Sequence, residues 1–125
     1  MSDHLIASFI SSGDSLVSNG DANAWLRAHR LIPEGAALSN SEHAALLRLR
    51  EALLDVLIAM KNGSEDVDAS ARLTRSLAEG RLVVMVDSAG AITLNTAARA
   101  VYPSVVAAIA VAIARASAAG EWPTA

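Results

Sequence analysis

Arg50 is the side chain whose position most calls for chemistry. It follows Leu47 by three residues and precedes Leu54 by four, inside an apolar run at helical spacing. A guanidinium drawn toward an apolar interior needs a carboxylate, backbone carbonyls or an anionic ligand. Two readings follow. Arg50 is an internal strut that holds the N-terminal loop or a helix C-terminus, or it binds an anion or effector. Trp25 has the same duality. Beside Leu26 it suits a core, and an indole also makes a good pocket wall. Arg48 lies on the other side of its helix near Glu51 and Asp55, where surface ion pairs suffice.

The other reactive residue types form no constellation. His4, His29 and His43 are not paired at i,i+3 or i,i+4 spacing, and each falls near a helix end or a polar position. They read as solvated surface histidines. No HExxH, GxSxG, GxxxxGK[ST] or GxGxxG occurs. Asp66 and Asp68 belong to a solvated helix start, and Asp14 and Asp21 to a loop and a cap. The chain has no cysteine, which excludes disulfides, thiolate catalysis and cysteine-ligated zinc within it. The expectation is a chain that is not an enzyme and carries no cofactor or metal of its own.

Composition narrows the class further. The 125 residues make one domain, 53% hydrophobic but only 3% aromatic, so the core must be aliphatic. Ten Lys+Arg against 13 Asp+Glu give a net charge of -3. That balance lacks the basic footprint of a phosphate binder. The most apolar stretch, VVAAIAVAIA at 105–114, is about half the ~20 residues a membrane span needs. Pro103 precedes it and Arg115 closes it, which favours a buried helix. The N-terminus lacks a basic segment followed by a long apolar run. These features fit the cytoplasm.

The elements that must position Arg50 and Trp25 can be read from periodicity. Leu5, Ile6, Phe9 and Ile10 suit a short helix stopped by Gly13, with a strand as runner-up. Ser18 to Asp21 have capping-box spacing, opening a helix through Trp25 and Leu26 to about His29. Ser39-Asn40-Ser41-Glu42 is a cleaner capping box. The helix behind it, from 41 to about 61, should be the longest and central. Its first stripe is Leu46, Leu49, Leu53, Val56 and Met60; Leu47, Leu54 and Ile58 form a second. A third long helix should span about 66–79, with Val67, Leu73 and Leu77 inward. The period then changes to two. Residues 81–95 should form a β-hairpin turning at Asp87-Ser88-Ala89-Gly90. Two strands alone are marginal in water, so a helix should cover one face. The last helix should run from about Pro103 to Ala119, with Val105, Val106, Ile109 and Ile113 inward. The fold class is α+β, mainly α: about five helices around a central helix, with one hairpin.

The order of these segments resembles one bacterial family. Ser18-x-x-Asp21-x-x-x-Trp25-Leu26 resembles its S-P-x-D-L-x-x-W-L helix. Leu38-Ser39 and Leu49-Arg50-Glu51-Ala52-Leu53 resemble its L-T…L-R-E-A-L helix. Leu73-Thr74-Arg75-Ser76-Leu77 is similar to its L-N-x-x-L helix, and RLVVMVDSAGAITL to its hairpin. An alanine-rich helix ending near Trp122 completes the match. The family is the CGNR zinc-finger proteins, whose N-terminal part is the ABATE domain, described as stress-induced transcription regulators. There are departures. Asn19 replaces a proline after the first cap, and Ser11-Ser12 stand where the family has Asn-Thr.

The resemblance implies that residues 1–125 are one ABATE-like regulatory domain that senses an effector and does not itself bind DNA. The alternative is an interaction or dimerisation module without a ligand. The candidate ligand-binding residues are Arg50, Trp25 and Ser12. The expected partners are a small-molecule effector, a protein or a second copy of the chain, with no membrane. In the family a cysteine-rich zinc finger follows the last helix. The resemblance implies that GEWPTA, residues 120–125, is the hinge into such a module, with zinc and DNA contacts lying beyond residue 125.

Overall fold

The computed structural model describes residues 5–122. In chain order they form α1 (Leu5–Ile10), a 3-10 turn (Gly13–Leu16), α2 (Asn19–Ala28) and α3 (Asn40–Lys61). Then come α4 (Val67–Ala78), β1 (Leu82–Val86), β2 (Ile92–Thr96) and α5 (Val101–Ala118). The architecture is α+β and mainly α, with one antiparallel hairpin among the described residues. The first segment is a helix rather than the alternative strand. His4 and residues 123–125 lie outside the described residues.

Local chemistry sets the helix starts. At α3 the capping box closes fully: Ser39 Oγ accepts from Glu42 N at 3.2 Å, and Ser39 N donates to Glu42 Oε1 at 2.8 Å. At α2, Ser18 Oγ accepts from Asp21 N at 3.0 Å. The reciprocal carboxylate bond is found only at α3 among the described residues. Aspartate is one methylene shorter than glutamate. Asp66 caps α4 through Ala69 N at 2.9 Å. Pro103 sits within the first turn of α5, where a missing N–H costs nothing.

The core is aliphatic, with Phe9 and Tyr102 as its buried aromatics. Leu46, Leu49 and Leu53 of α3 belong to the same core cluster as Val105, Val106 and Ile109 of α5, all with no exposed surface. Each such side chain contributes about 1.5–3 kcal/mol on leaving water. α3 is the longest helix and touches α1, α2 and α4, while α5 touches α1, α4 and β2. By length and composition α5 could span a membrane, yet eight of its residues are buried inside the fold. The last turn carries Trp122, half-buried against the core.

Three expectations need correction. Both stripes of α3 fade at its C-terminal end, because the helix outruns the core: Met60 of the first is 41% and Ile58 of the second 56% exposed. Val67 is 77% exposed, at the first position of α4 and on the rim of an open cavity shared with the end of α3. The hairpin is not covered on one face. Its base touches α5, but Val84, Val86 and Ile92 stand 63, 64 and 69% exposed.

The base of the hairpin is fixed tightly. Gly80 is buried, and a Cβ there would lie 2.8 Å from Ala107 N. Thr96 Oγ1 donates to Gly80 O at 2.7 Å and accepts from Ala98 N at 3.1 Å. Arg81 takes a left-handed conformation, φ 50°, as the chain swings into β1.

Candidate functional site

The three sequence-derived residues do converge, around the end of α1. Phe9 and Ile10 close this short helix; Phe9 O accepts from Ser12 N at 3.3 Å, and both carbonyls lie past the last full turn. Arg50 reaches across from α3. Its Nε donates to Phe9 O at 3.1 Å and its Nη2 donates to Ile10 O. A cation at a helix C-terminus also complements the negative end of the dipole. Ser12, 5% exposed, donates its hydroxyl to the same Phe9 carbonyl. Gly13 makes room, because a Cβ there would sit 3.2 Å from Arg50 Nη2. Trp25 joins through Phe9, with ring centroids 5.9 Å apart and planes tilted by 43°.

The cluster is therefore a joint between α1, α2 and α3. Arg50 is half-buried, and two of its donors are spent on backbone carbonyls. Trp25 lines a surface cavity of about 500 Å³ with Asp14, Ser15, Asp21 and Ala24. His29 stacks on the same indole at 4.1 Å.

Several contributing residues escaped the sequence reading. His43 is half-buried, and its Nε2 lies 2.8 Å from Leu16 O, so it ties the start of α3 to the 3-10 turn. Asn23 is buried; its Oδ1 accepts from Leu38 N at 2.8 Å and its Nδ2 donates to Asn19 Oδ1. Asn19 Nδ2 donates to Leu38 O at 3.1 Å. Arg27 donates to Ala36 O at 2.8 Å. Together they hold the 31–38 loop on α2. The i,i+4 spacing of Asn19 and Asn23 is a signal for such a ladder, but their partner is fifteen residues from Asn23 in sequence.

Two other surfaces border α4. One cavity, about 490 Å³, lies between the end of α3 and the start of α4, among Val56, Ala59, Met60, Asp66, Val67 and Ala71. A more polar groove, about 610 Å³, is lined by Arg48, Glu51, Arg72, Arg75, Ser76 and Glu79. Arg72 is not free there. It bonds Asp68 Oδ2 at 2.7 Å and Asp55 Oδ2 at 3.0 Å, which raises its already high pKa. Among the described residues no group of three His, Asp or Glu side chains could hold a metal.

The family model of ABATE matches residues 3–120. The chain belongs to the ABATE family. That family is described as "Putative stress-induced transcription regulator". Comparison with curated proteins and with solved structures gave no match. The ABATE match covers all the elements described above, from α1 to α5.

Proposed function

We propose that this ABATE domain is the regulatory part of a transcription regulator, acts through protein contact, and does not itself read DNA or catalyse a reaction. The observation that carries the reading is where the chain spends its polar and apolar groups. Arg50 and Ser12 are used on the carbonyls of α1, while aliphatic side chains of the hairpin are displayed to solvent. The charge pattern agrees. Acidic residues outnumber basic ones, and Arg72 is held by Asp55 and Asp68. Such a surface releases few counterions on meeting a duplex. The reading puts the chain in the cytoplasm beside the DNA machinery it regulates.

A second reading, capture of a small effector, is favoured by the apolar cavity between α3 and α4, with Asp66 at its edge. That cavity, rather than the Arg50 cluster, is where an apolar effector would bind.

Titration of duplex DNA at near-physiological salt tests the proposal. The expected outcome is no saturable binding in the sub-micromolar range. Tight binding that weakens steeply with salt would overturn it.

A further inference from the structure

We propose that the outer edge of β1 is a self-pairing surface that joins two copies of this chain through a continuous four-stranded antiparallel sheet, β2-β1-β1-β2. This deepens the protein-contact reading by naming the partner as a second copy of the chain.

The first observation is which backbone groups are free. The register pairs Leu82 with Thr96, Val84 with Leu94 and Val86 with Ile92. Asp87 N donates to Ala91 O at 3.0 Å and Ala97 N donates to Arg81 O at 2.8 Å. The odd-numbered residues of β1 therefore bond inward to β2. Leu82, Val84 and Val86 turn their N–H and C=O groups outward. The β2 edge is less open, since its base lies against α5 and Thr96 N donates to Asn95 Oδ1 at 2.8 Å.

The second observation is that this edge carries no protection. Natural edge strands are blunted by lysine, proline, a bulge or a covering element. β1 reads Leu-Val-Val-Met-Val, with Val83 to Val86 at 40–64% exposure. A bare hairpin of this kind is marginal alone, and three or more strands are needed for a stable sheet.

The third observation selects the partner. Arg81 and Asp87 flank β1 at equal distances from Val84. In an antiparallel pair with its two-fold axis at Val84, Val84 faces its own copy and Leu82 faces Val86. Both are pairs of outward-bonding residues. Arg81 then falls opposite Asp87 of the second copy, twice over, and opposite charges directly across strands are favourable. Moving the axis to Val83 or Met85 shortens the ladder and sets Arg81 against Met85, or Asp87 against Val83. Because the strands run antiparallel, the two helical bodies lie at opposite ends of the sheet.

The test uses the whole chain. Sedimentation equilibrium should show a concentration-dependent dimer. Arg81→Asp and Asp87→Arg each place two like-charged pairs across the axis and should weaken the homodimer by about tenfold. Mixing the two variants should restore dimer, because only the mixed pair is attractive at both ends. A second measurement does not depend on Asp87, which also holds the turn through Ala89 N and Ala91 N. The chain has no cysteine, so Val84→Cys should cross-link to itself on mild oxidation. Its α-carbon would be about 5.5 Å from its copy, within disulfide reach. Val86→Cys, equally exposed, should not, because its copy would be four residues away along the strand, about 13 Å. A parent chain that stays monomeric overturns the proposal while leaving DNA titration to judge the wider reading. Equal cross-linking of both variants overturns the register and with it the self-pairing surface.

Discussion

Leu46, Leu49 and Leu53 of α3 have no exposed surface, whereas Val84, Val86 and Ile92 of the hairpin are 63, 64 and 69% exposed. Both segments are dense in aliphatic residues. The difference lies in what surrounds each. α3 has α1, α2 and α4 around it, so its stripe is covered on several sides. The hairpin has α5 at its base, and its outer residues stand exposed. Apolar sequence thus stabilises the helical body from within, while in the hairpin the same residue types remain available to a partner. The joint at Arg50 belongs to the body. The conformational bend at Gly80 and Arg81 separates the body from the displayed ribbon.

The contrast is broken most directly by truncation. Leu49→Ala should cost about 2–5 kcal/mol in denaturant unfolding, since the side chain has no exposed surface and its loss leaves a cavity in the core. Val86→Ala should change stability by no more than about 0.5 kcal/mol at concentrations where the chain is monomeric. Equal effects would mean that the hairpin is buried in solution. Gly80→Ala comes next. Its methyl would press on the Ala107 backbone, which cannot swing aside as a side chain can. A cost of about 1–3 kcal/mol is expected, with the hairpin signals shifting most in amide spectra.

How much of this was legible in the sequence follows from the range of each interaction. The helices were legible, because caps and 3.6-residue periodicity are local; Ser39 and Glu42 announce α3 within four residues. The hairpin was legible from alternation and its Gly-bearing turn. Its exposure was not, because alternation is the same whether a face meets a helix or a partner chain. Arg50 was legible as a guanidinium inside an apolar stripe. Its acceptors, about forty residues away, were legible only as a choice between strut and ligand. His43 and Asn23 were missed for the same reason, since each bonds a loop carbonyl or amide brought close only by the fold.

Arg50→Ala sharpens the comparison from the body's side. It removes donors from the Phe9 and Ile10 carbonyls, and Phe9 O retains Ser12 while Ile10 O loses its guanidinium. Unpaired carbonyls at a partly buried helix end should cost about 1–2 kcal/mol. Thermal unfolding measures it. The effect should be confined to the body, with the self-association of the hairpin unchanged in sedimentation. A parent-like melting curve would show that α1 is held by packing alone.

The smallest expected effect concerns Tyr102. It is 5% exposed at the start of α5, and its hydroxyl has no hydrogen-bond partner among the described residues. Burial pushes its pKa well above the ordinary value of about 10, aided by the negative charge of Glu79 and opposed by Arg48. The folded chain therefore keeps this proton at a pH where the unfolded chain has released it. Stability from this group is complete below about pH 10 and falls as pH rises beyond it. Tyr102→Phe removes both the unpaired hydroxyl and its titration. It should leave the fold intact, raise stability at neutral pH by up to about 1 kcal/mol, and flatten the alkaline loss of stability. The chain has a single tyrosine, so tyrosinate absorbance reports this residue alone. Ionisation near pH 10 in the folded protein would show that water reaches the α5 packing layer, and that the body is less closed than its buried leucines imply.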